Sequence, residues 1–549
     1  MSVAVSTPAP DDAAAPLAVA RNSISVAGWT IVSRLTGLLR FVAVAVVLGP
    51  TYLGNTYLAT NLVPNLVFEL LAGSLFASLL VPHLVRHLAK GDVAGAERAA
   101  SGFLGLWLIV SALAGAVVAL AAPLFLALLA LGVDDAGTAA SQQAAGWLLL
   151  ALFAPQIALY GVAGVGAAAQ NSRGRFALAA GAPALENVGI VATLAAFAIV
   201  FGIDASLATV STAGILLLGV GTTASVVLHA AAQWLGARRA GIRLIPRTGW
   251  RSSEVRAIAR QTVPTLGYAG LNAIRIFAAL VVANSIAGGV VAFGVALALF
   301  HLPVAICARP VATALLPRLA RLFHEGALAR FREELARGGG LVLFLTVPVT
   351  AFYVALSELI GEAFFVGEQE AAGAALLTAT LVALAPGILG EAVFILSTNA
   401  SYAAGDVRAP FRAMVTRTLL SLAGMAAAFS LDAPAATLAG LGAALSAGNI
   451  VSAWQLHRAV GRRVGRASLP AWRGILRDLA ASSVAAGTAY VVASVAARTA
   501  PADGGEVGRL LAGALIGLAV FVAAQHALRA PELGWLAGGF RQLRLGGSA

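Results

Sequence analysis

The chain is poor in charge and almost without cysteine. Of its 549 residues only 11% are Asp, Glu, Lys or Arg, against about 25% in a soluble globular domain. Polar groups this scarce cannot cover a folded surface of that size in water, which excludes a soluble enzyme. A hydrophobic content of 60% excludes a disordered chain. The single cysteine, Cys307, excludes an intramolecular disulfide. No GxxxxGK[ST] stretch exists, so ATP hydrolysis through a Walker-type loop is excluded. No HExxH, Ser/His/Asp or carboxylate-pair arrangement stands out. Loose GxGxxG/A matches at 164–169 and 219–224 fall inside apolar runs with no preceding strand, and do not make a dinucleotide fingerprint. His83 and His87 lack companion carboxylates and read as a solvated helix end rather than a metal site. No cofactor is expected. Residues 1–22 lack the basic and apolar regions of a signal peptide and read as a disordered cytoplasmic tail.

What is present is a series of long apolar runs: 23–48, 56–87, 101–131, 143–170, 177–201, 206–237, 262–285, 288–321, 340–365, 371–402, 409–430, 434–460, 474–497 and 507–529. A spanning helix needs about 20 such residues. The pattern predicts an all-α polytopic membrane protein of about fourteen transmembrane helices. If these alternate from a cytoplasmic N-terminus, 30 of the 36 basic residues fall in inner segments and only Arg498 and Arg509 in outer ones. That is a strong positive-inside bias, and it predicts both termini in the cytoplasm. The net charge of +12 then reflects topology, and no nucleic-acid partner is needed.

The chain also repeats itself. At an offset of 235, Arg40 falls on Arg275, Pro82 on Pro317, Arg86 on Arg321, Arg173 on Arg408 and Phe176 on Phe411. The offset carries helices one to six onto seven to twelve. Six is even, so both halves enter the membrane in the same direction, which predicts two lobes about an axis along the membrane normal with a cavity between them. The expected division is an N-lobe over 23–240, a basic linker helix over 241–261 lying on anionic lipid, a C-lobe over 262–466, two extra helices within 467–530 and a cytoplasmic tail over 531–549.

Charges inside the apolar runs mark the candidate site. They are Arg34, Arg40, Arg275 and Arg309, with Glu69, Glu186 and Glu391 as possible cavity carboxylates. Each costs roughly 2.5–3.5 kcal/mol at mid-bilayer, so they should face a wet cavity or each other. Inter-helix ion pairs would satisfy them; so would an anion site between the lobes, with Arg40 and Arg275 brought together from opposite sides. The planar guanidinium suits phosphate.

These residues resemble a known family. SRLTGLLR, VPNLVFELLAGSLFASLLVP, AAQNSRGRF, LPVAICARPVATALLPRLAR and YAAGDVRAPFR, in that order over about 23–430, are similar to the MurJ (MviN) lipid II flippases of the multidrug/oligosaccharidyl-lipid/polysaccharide exporter superfamily. The resemblance implies movement of undecaprenyl-diphosphate-linked peptidoglycan precursor between leaflets of a bacterial cell membrane, without covalent chemistry. It also implies a diphosphate cavity that includes Arg34 and Arg40. Na+, H+ or the membrane potential could drive transport, and cell-wall synthesis proteins could be partners. The pattern departs at Asn55, where the family commonly has Asp, at Phe68-Glu69, where it has an Arg pair, and at Leu297-Ala298, where it often has Asp-Arg. A flippase for another lipid-linked polysaccharide, a drug/cation antiporter and a non-transporting scaffold stay open.

Overall fold

The computed structural model describes residues 11–72, 76–203, 205–247, 253–365, 370–465, 472–499 and 506–535. Among these the chain is helices and short connections, with no strand. The first half comprises α1 (Asp11–Val47), α2 (Tyr52–Ala72), a π-helical turn (Phe76–Leu80), α3 (Val81–Ala89), α4 (Val93–Leu129), α5 (Ala136–Phe153), α6 (Gln156–Ser172), α7 (Ala177–Phe201) and α8 (Thr212–Arg239). The second comprises α9 (Ser253–Asn284), α10 (Gly289–Pro303), a π-helical turn (Val304–Ala308), α11 (Arg309–His324), α12 (Leu328–Ala355), α13 (Ser357–Phe364), α14 (Glu370–Leu384), α15 (Gly387–Ala403), α16 (Arg408–Phe429) and α17 (Pro434–Val464). Helices α18 (Trp472–Thr499) and α19 (Glu506–Ala527) pair with each other and lean on α12.

Each expected apolar run coincides with a helix or a consecutive pair. Eleven spans are long and apolar enough to cross a membrane, and a twelfth is α14 with α15, bent by 43° beside Pro386. The count of fourteen is not reached on that criterion: α2, though 21 residues long, carries Asn55, Asn61, Asn65 and Glu69, and α16 carries Arg408, Arg412 and Arg417. Helix α1 starts at Asp11, so the expected disordered tail is helical over 11–22; its Ala-rich stretch has the highest helix propensity. Residues 1–10 and 536–549 lie outside the described ones.

Capping sets the helix starts. The Asp92 and Asp135 side chains accept from Gly95 N at 2.7 Å and Thr138 N at 2.6 Å. The Gly95 N–H holds the Asp92 carboxyl below its ordinary range, and the Thr138 hydroxyl and N–H do the same for Asp135. His87 is occupied by Asp92, with Nδ1 3.0 Å from Oδ2.

The two halves share a packing plan. Helix α1 packs on α7 as α9 packs on α16, and α6 and α7 pack on α8 as α15 and α16 pack on α17. Left-handed glycines set the register. Gly91 and Gly326, at φ of 73° and 69°, turn the chain before α4 and α12 and stand 235 residues apart. Gly174 and Gly405, at 68° and 69°, end α6 and α15 but stand 231 apart. Three of those four residues are lost in α14, which has 15 residues where α5 has 18. The pairing of Arg173 with Arg408 and Phe176 with Phe411 is therefore out of register: Arg173 caps the end of α6, whereas Arg408 begins α16.

The linker is also corrected. Residues 242–247 are irregular rather than helical, with Ile242 and Leu244 buried. Their apolar spacing is two, a strand-like period, and Pro246 opposes a helix. The segment lies along α4: Arg243 N donates to Glu97 Oε1 at 2.7 Å, Ile245 N to Ser101 Oγ at 3.2 Å and Arg247 N to Ser101 O at 3.2 Å. The rest of the expected linker helix is outside the described residues at 248–252, and its final residues form the start of α9.

At one end of the bundle the α1–α2 and α9–α10 turns are clasped together. Asn55 Nδ2 donates to Ile286 O at 2.7 Å, and Val290 N donates to Asn55 Oδ1 at 2.9 Å. Tyr52 Oη donates to Ser285 O at 3.2 Å. Gln142 and Asn284 exchange amide hydrogen bonds at 2.8 and 3.0 Å. Gly288 closes the contact, since a Cβ there would meet Pro50 Cα at 2.4 Å. Asn55 and Val290 are 235 residues apart; they are repeat mates touching each other, as residues beside a rotation axis do.

Candidate functional site

Two cavities lie on the side of the bundle away from the clasp. The first, about 520 Å³, is walled by α1, α2, α6, α7 and α8 and closed by α10 from the other half. Arg34, Arg40, Glu186, His229 and His301 line it. The second, about 1440 Å³, is walled by α9, α15 and α16, with α2 crossing from the first half. Glu69, Arg309, Arg408 and Arg412 line it. Phe68 borders both, stacked on Phe76 at 5.8 Å and edge-on to Trp107 at 5.5 Å. An apolar plug therefore stands where the resemblance led us to look for arginine. Leu297 and Ala298, the other departure, also line the first cavity.

The cations differ sharply in their surroundings. Arg34 and Arg309 are exposed to the cavities and within electrostatic reach of each other, and neither side chain makes an ion pair or hydrogen bond among the described residues. The π-helical turn ends immediately before Arg309, a local irregularity frequent at functional sites. Glu69 is exposed within reach of Arg309. Arg40 is half-buried; its Nε has no hydrogen-bond partner. His301 joins the cavities electrically, within reach of Arg34, Arg309, Arg275 and Glu391.

Arg275 lies elsewhere. It is 7% exposed, donates to Asn272 Oδ1 at 2.9 Å and sits beside Arg417, Glu391 and Tyr268. It lines neither cavity, so Arg40 and Arg275 do not meet across a cleft. Glu391 is likewise no cavity carboxylate: it is ion-paired with Arg417, both side chains nearly closed to solvent. Arg417, which the charge pattern placed in an inner segment, is thus a buried member of α16. Glu186 does face a cavity, but it is engaged by Tyr160 Oη at 3.0 Å and His229 Nδ1 at 2.8 Å.

These pairs mirror each other once the register is set by the glycines. At an offset of 231, Tyr160 falls on Glu391 and Glu186 on Arg417. The same two positions bridge the same two helices in both halves. The first half bridges them with a hydroxyl and an acid, the second with an acid and a base. A fixed offset of 235 hides this. Nor did charge flag the clasp, which is built from Asn, Gln, Tyr and backbone groups.

Comparison with known proteins agrees with this architecture. The family model for lipid II flippase MurJ matches residues 44–502; Arg34 and Arg40 precede that stretch. A relative named probable lipid II flippase MurJ from Rhizobium tropici is 25% identical over 398 residues, 72% of this chain and 73% of its own. The solved structure of lipid II flippase MurJ in an inward closed conformation superposes with a TM-score of 0.70 at 16% identity, covering 92% of this chain and 99% of that one. An inward-facing multidrug resistance transporter of the MATE family and MOP superfamily gives 0.63 at 15% identity, covering 79% and 98%. By the family model spanning most of its length, this multi-pass membrane chain belongs to the lipid II flippase MurJ family.

Proposed function

We propose that the chain carries lipid II, an undecaprenyl-diphosphate-linked peptidoglycan precursor, from the inner to the outer leaflet of a bacterial cell membrane. The observation that carries this reading is the pair Arg34 and Arg309. Two guanidinium groups with no ion-pair or hydrogen-bond partner among the described residues face cavities at membrane depth, where an unpaired charge is costly. A diphosphate supplies two negative groups that a guanidinium binds through paired hydrogen bonds. No bond to the substrate is made. The clasp shuts one end while the anion is held from the other; parting the clasp and closing the cavity side would release it outward. An inside-negative potential favours outward movement of an anion, by about 2.3 kcal/mol per charge at 100 mV. The direct test is complementation of a strain depleted of its lipid II flippase. Rescue with outward appearance of labelled precursor is expected; a well-inserted protein that leaves precursor inside would overturn the assignment.

In this reading both termini and the cavity side are cytoplasmic and the clasp is outside. In a Cys307→Ser background, a cysteine at Asp134 should react with a membrane-impermeant maleimide in intact cells, while one at Lys90 or Arg247 should react only after permeabilisation. Labelling at 247 in intact cells would invert the topology.

The clasp makes a second expectation. Asn55→Leu strands the Val290 N–H, while Ile286 O keeps only its bond from Gly289 N at 2.9 Å, and a buried polar group left without its partner costs about 1–3 kcal/mol. Since 1.4 kcal/mol is a factor of ten in an equilibrium, the outward-open state should gain about tenfold. Maleimide labelling from outside of a cysteine at Ala298, in the first cavity, should rise accordingly. Unchanged labelling would show that the clasp does not hold the gate.

A further inference from the structure

A third cavity lies where the start of α16 meets the last turns of α17, with a volume of about 640 Å³. Arg412, Arg458, Arg462 and Arg463 line it, with Trp454 and Gln455. Its one carboxylate, Asp406, is already engaged: it accepts from Arg408 N at 2.9 Å and Ala409 N at 3.0 Å, and Arg463 lies 3.3 Å away. Burial pushes the Asp406 carboxyl up, but those donors and Arg463 outweigh it and hold it below its ordinary range. Arg412, Arg458 and Arg462 have no carboxylate partner among the described residues. Arg458 and Arg462 stand four apart on one helix face, an arrangement like charges oppose. Arg458 is held over the Trp454 ring, its Cζ 3.9 Å from the centroid. Gln455 Oε1 is buried without a hydrogen-bond partner.

The depth of the groove points to its occupant. Trp454 is 54% exposed in the last third of a spanning helix. Half-exposed tryptophan beside arginine belongs at headgroup level. The first half supplies an internal control. Its corresponding groove, where α6 turns into α7 beside the end of α8, is about 330 Å³ and has only Arg175 and Arg239. There Arg175 donates to Arg239 O at 2.9 Å and is occupied. The second half alone concentrates unpaired guanidinium groups at this position.

We propose that the α16–α17 groove is a binding site for a phosphate-bearing anion at the membrane surface, held by Arg458 and Arg462 and separate from the Arg34–Arg309 cleft. A lipid headgroup and a soluble phosphate share that chemistry, and the site does not depend on what crosses the cleft.

The test uses the full chain in nanodiscs of phosphatidylcholine, with or without phosphatidylglycerol, and native mass spectrometry of retained lipid. Wild type should retain phosphatidylglycerol, and Arg458→Gln/Arg462→Gln about tenfold less. Arg458→Lys/Arg462→Lys should fall between, because an ammonium keeps the charge and loses the planar contact. Circular dichroism should be unchanged in both. In a second arm, inorganic phosphate is titrated into phosphatidylcholine nanodiscs and the melting temperature followed. A rise in wild type that the Gln variant lacks identifies a soluble occupant; no rise, with selective phosphatidylglycerol retention, identifies a lipid. Equal behaviour of wild type and Gln variant towards both probes would overturn the site.

Discussion

Replacing Glu391 by leucine should remove most of the folded protein from the membrane. The glutamate is the acid between two buried guanidinium groups, ion-paired with Arg417 and within electrostatic reach of Arg275. Its loss leaves two like charges side by side where water cannot screen them. Breaking a buried pair costs about 3–5 kcal/mol, a large share of the 5–15 kcal/mol that holds a typical domain. Arg417→Leu should be milder, because Arg275 remains to neutralise Glu391. The double variant Glu391→Leu/Arg417→Leu should recover only part of the loss, since it removes the clash of like charges but leaves Arg275 buried without its acid. Melting temperature in detergent and abundance in the membrane are the measurements. If Glu391→Leu melts like wild type, the cluster is not what holds α9, α15 and α16 together.

The opposite signature is expected for the cleft. Arg34→Ala/Arg309→Ala should abolish transport while abundance and melting temperature stay at wild-type values, because neither side chain makes a bond among the described residues. A hydrogen bond to a charged group contributes about 1.5–3 kcal/mol, roughly one to two orders of magnitude each. Losing both arginines should therefore reduce transport a hundredfold or more. Arg→Lys at both sites should restore part of it. Arg275→Ala, by contrast, should lower stability, since Arg275 is walled off from both cavities. Full transport by the Arg34→Ala/Arg309→Ala variant would remove the anion site from the cleft and leave the function without its physical support.

The apolar runs located nearly every helix, because in lipid a backbone must satisfy its own hydrogen bonds and long apolar stretches have few alternatives. Four of the seven intramembrane charges, Arg34, Arg40, Glu69 and Arg309, reach the cavities without an ion pair among the described residues, and Glu186 reaches one already engaged. What charge counting could not do was distinguish a cation in a cleft from one in a buried pair. Arg275 and Arg34 look alike in sequence, and only the helix opposite decides between them. Arg417 was hidden by its neighbours, since Arg408 and Arg412 just before it drew it into the count of inner charges although it lies within the 409–430 run. The linker was misread because its basic residues suggested a surface helix, although Ile242 and Leu244 alternate as in a strand.

The segment leading into and through α14, of which the helix itself accounts for three of the four residues lost, bears on how such a lobe can change length at all. The register slips by four residues between Gly91–Gly326 and Gly174–Gly405, close to the 3.6 residues of one α-helical turn. A loss of that size lowers a helix by a storey and leaves its azimuth nearly unchanged, so α15 still presents Glu391 to Arg417. A loss of two residues would have swung everything beyond it to the far face and turned that carboxylate towards hydrocarbon, at the roughly 2.5–3.5 kcal/mol such an exposure costs. Length variation in this scaffold is thus quantised: a wall can be shortened by whole turns, and fractional steps are penalised by the charges it carries.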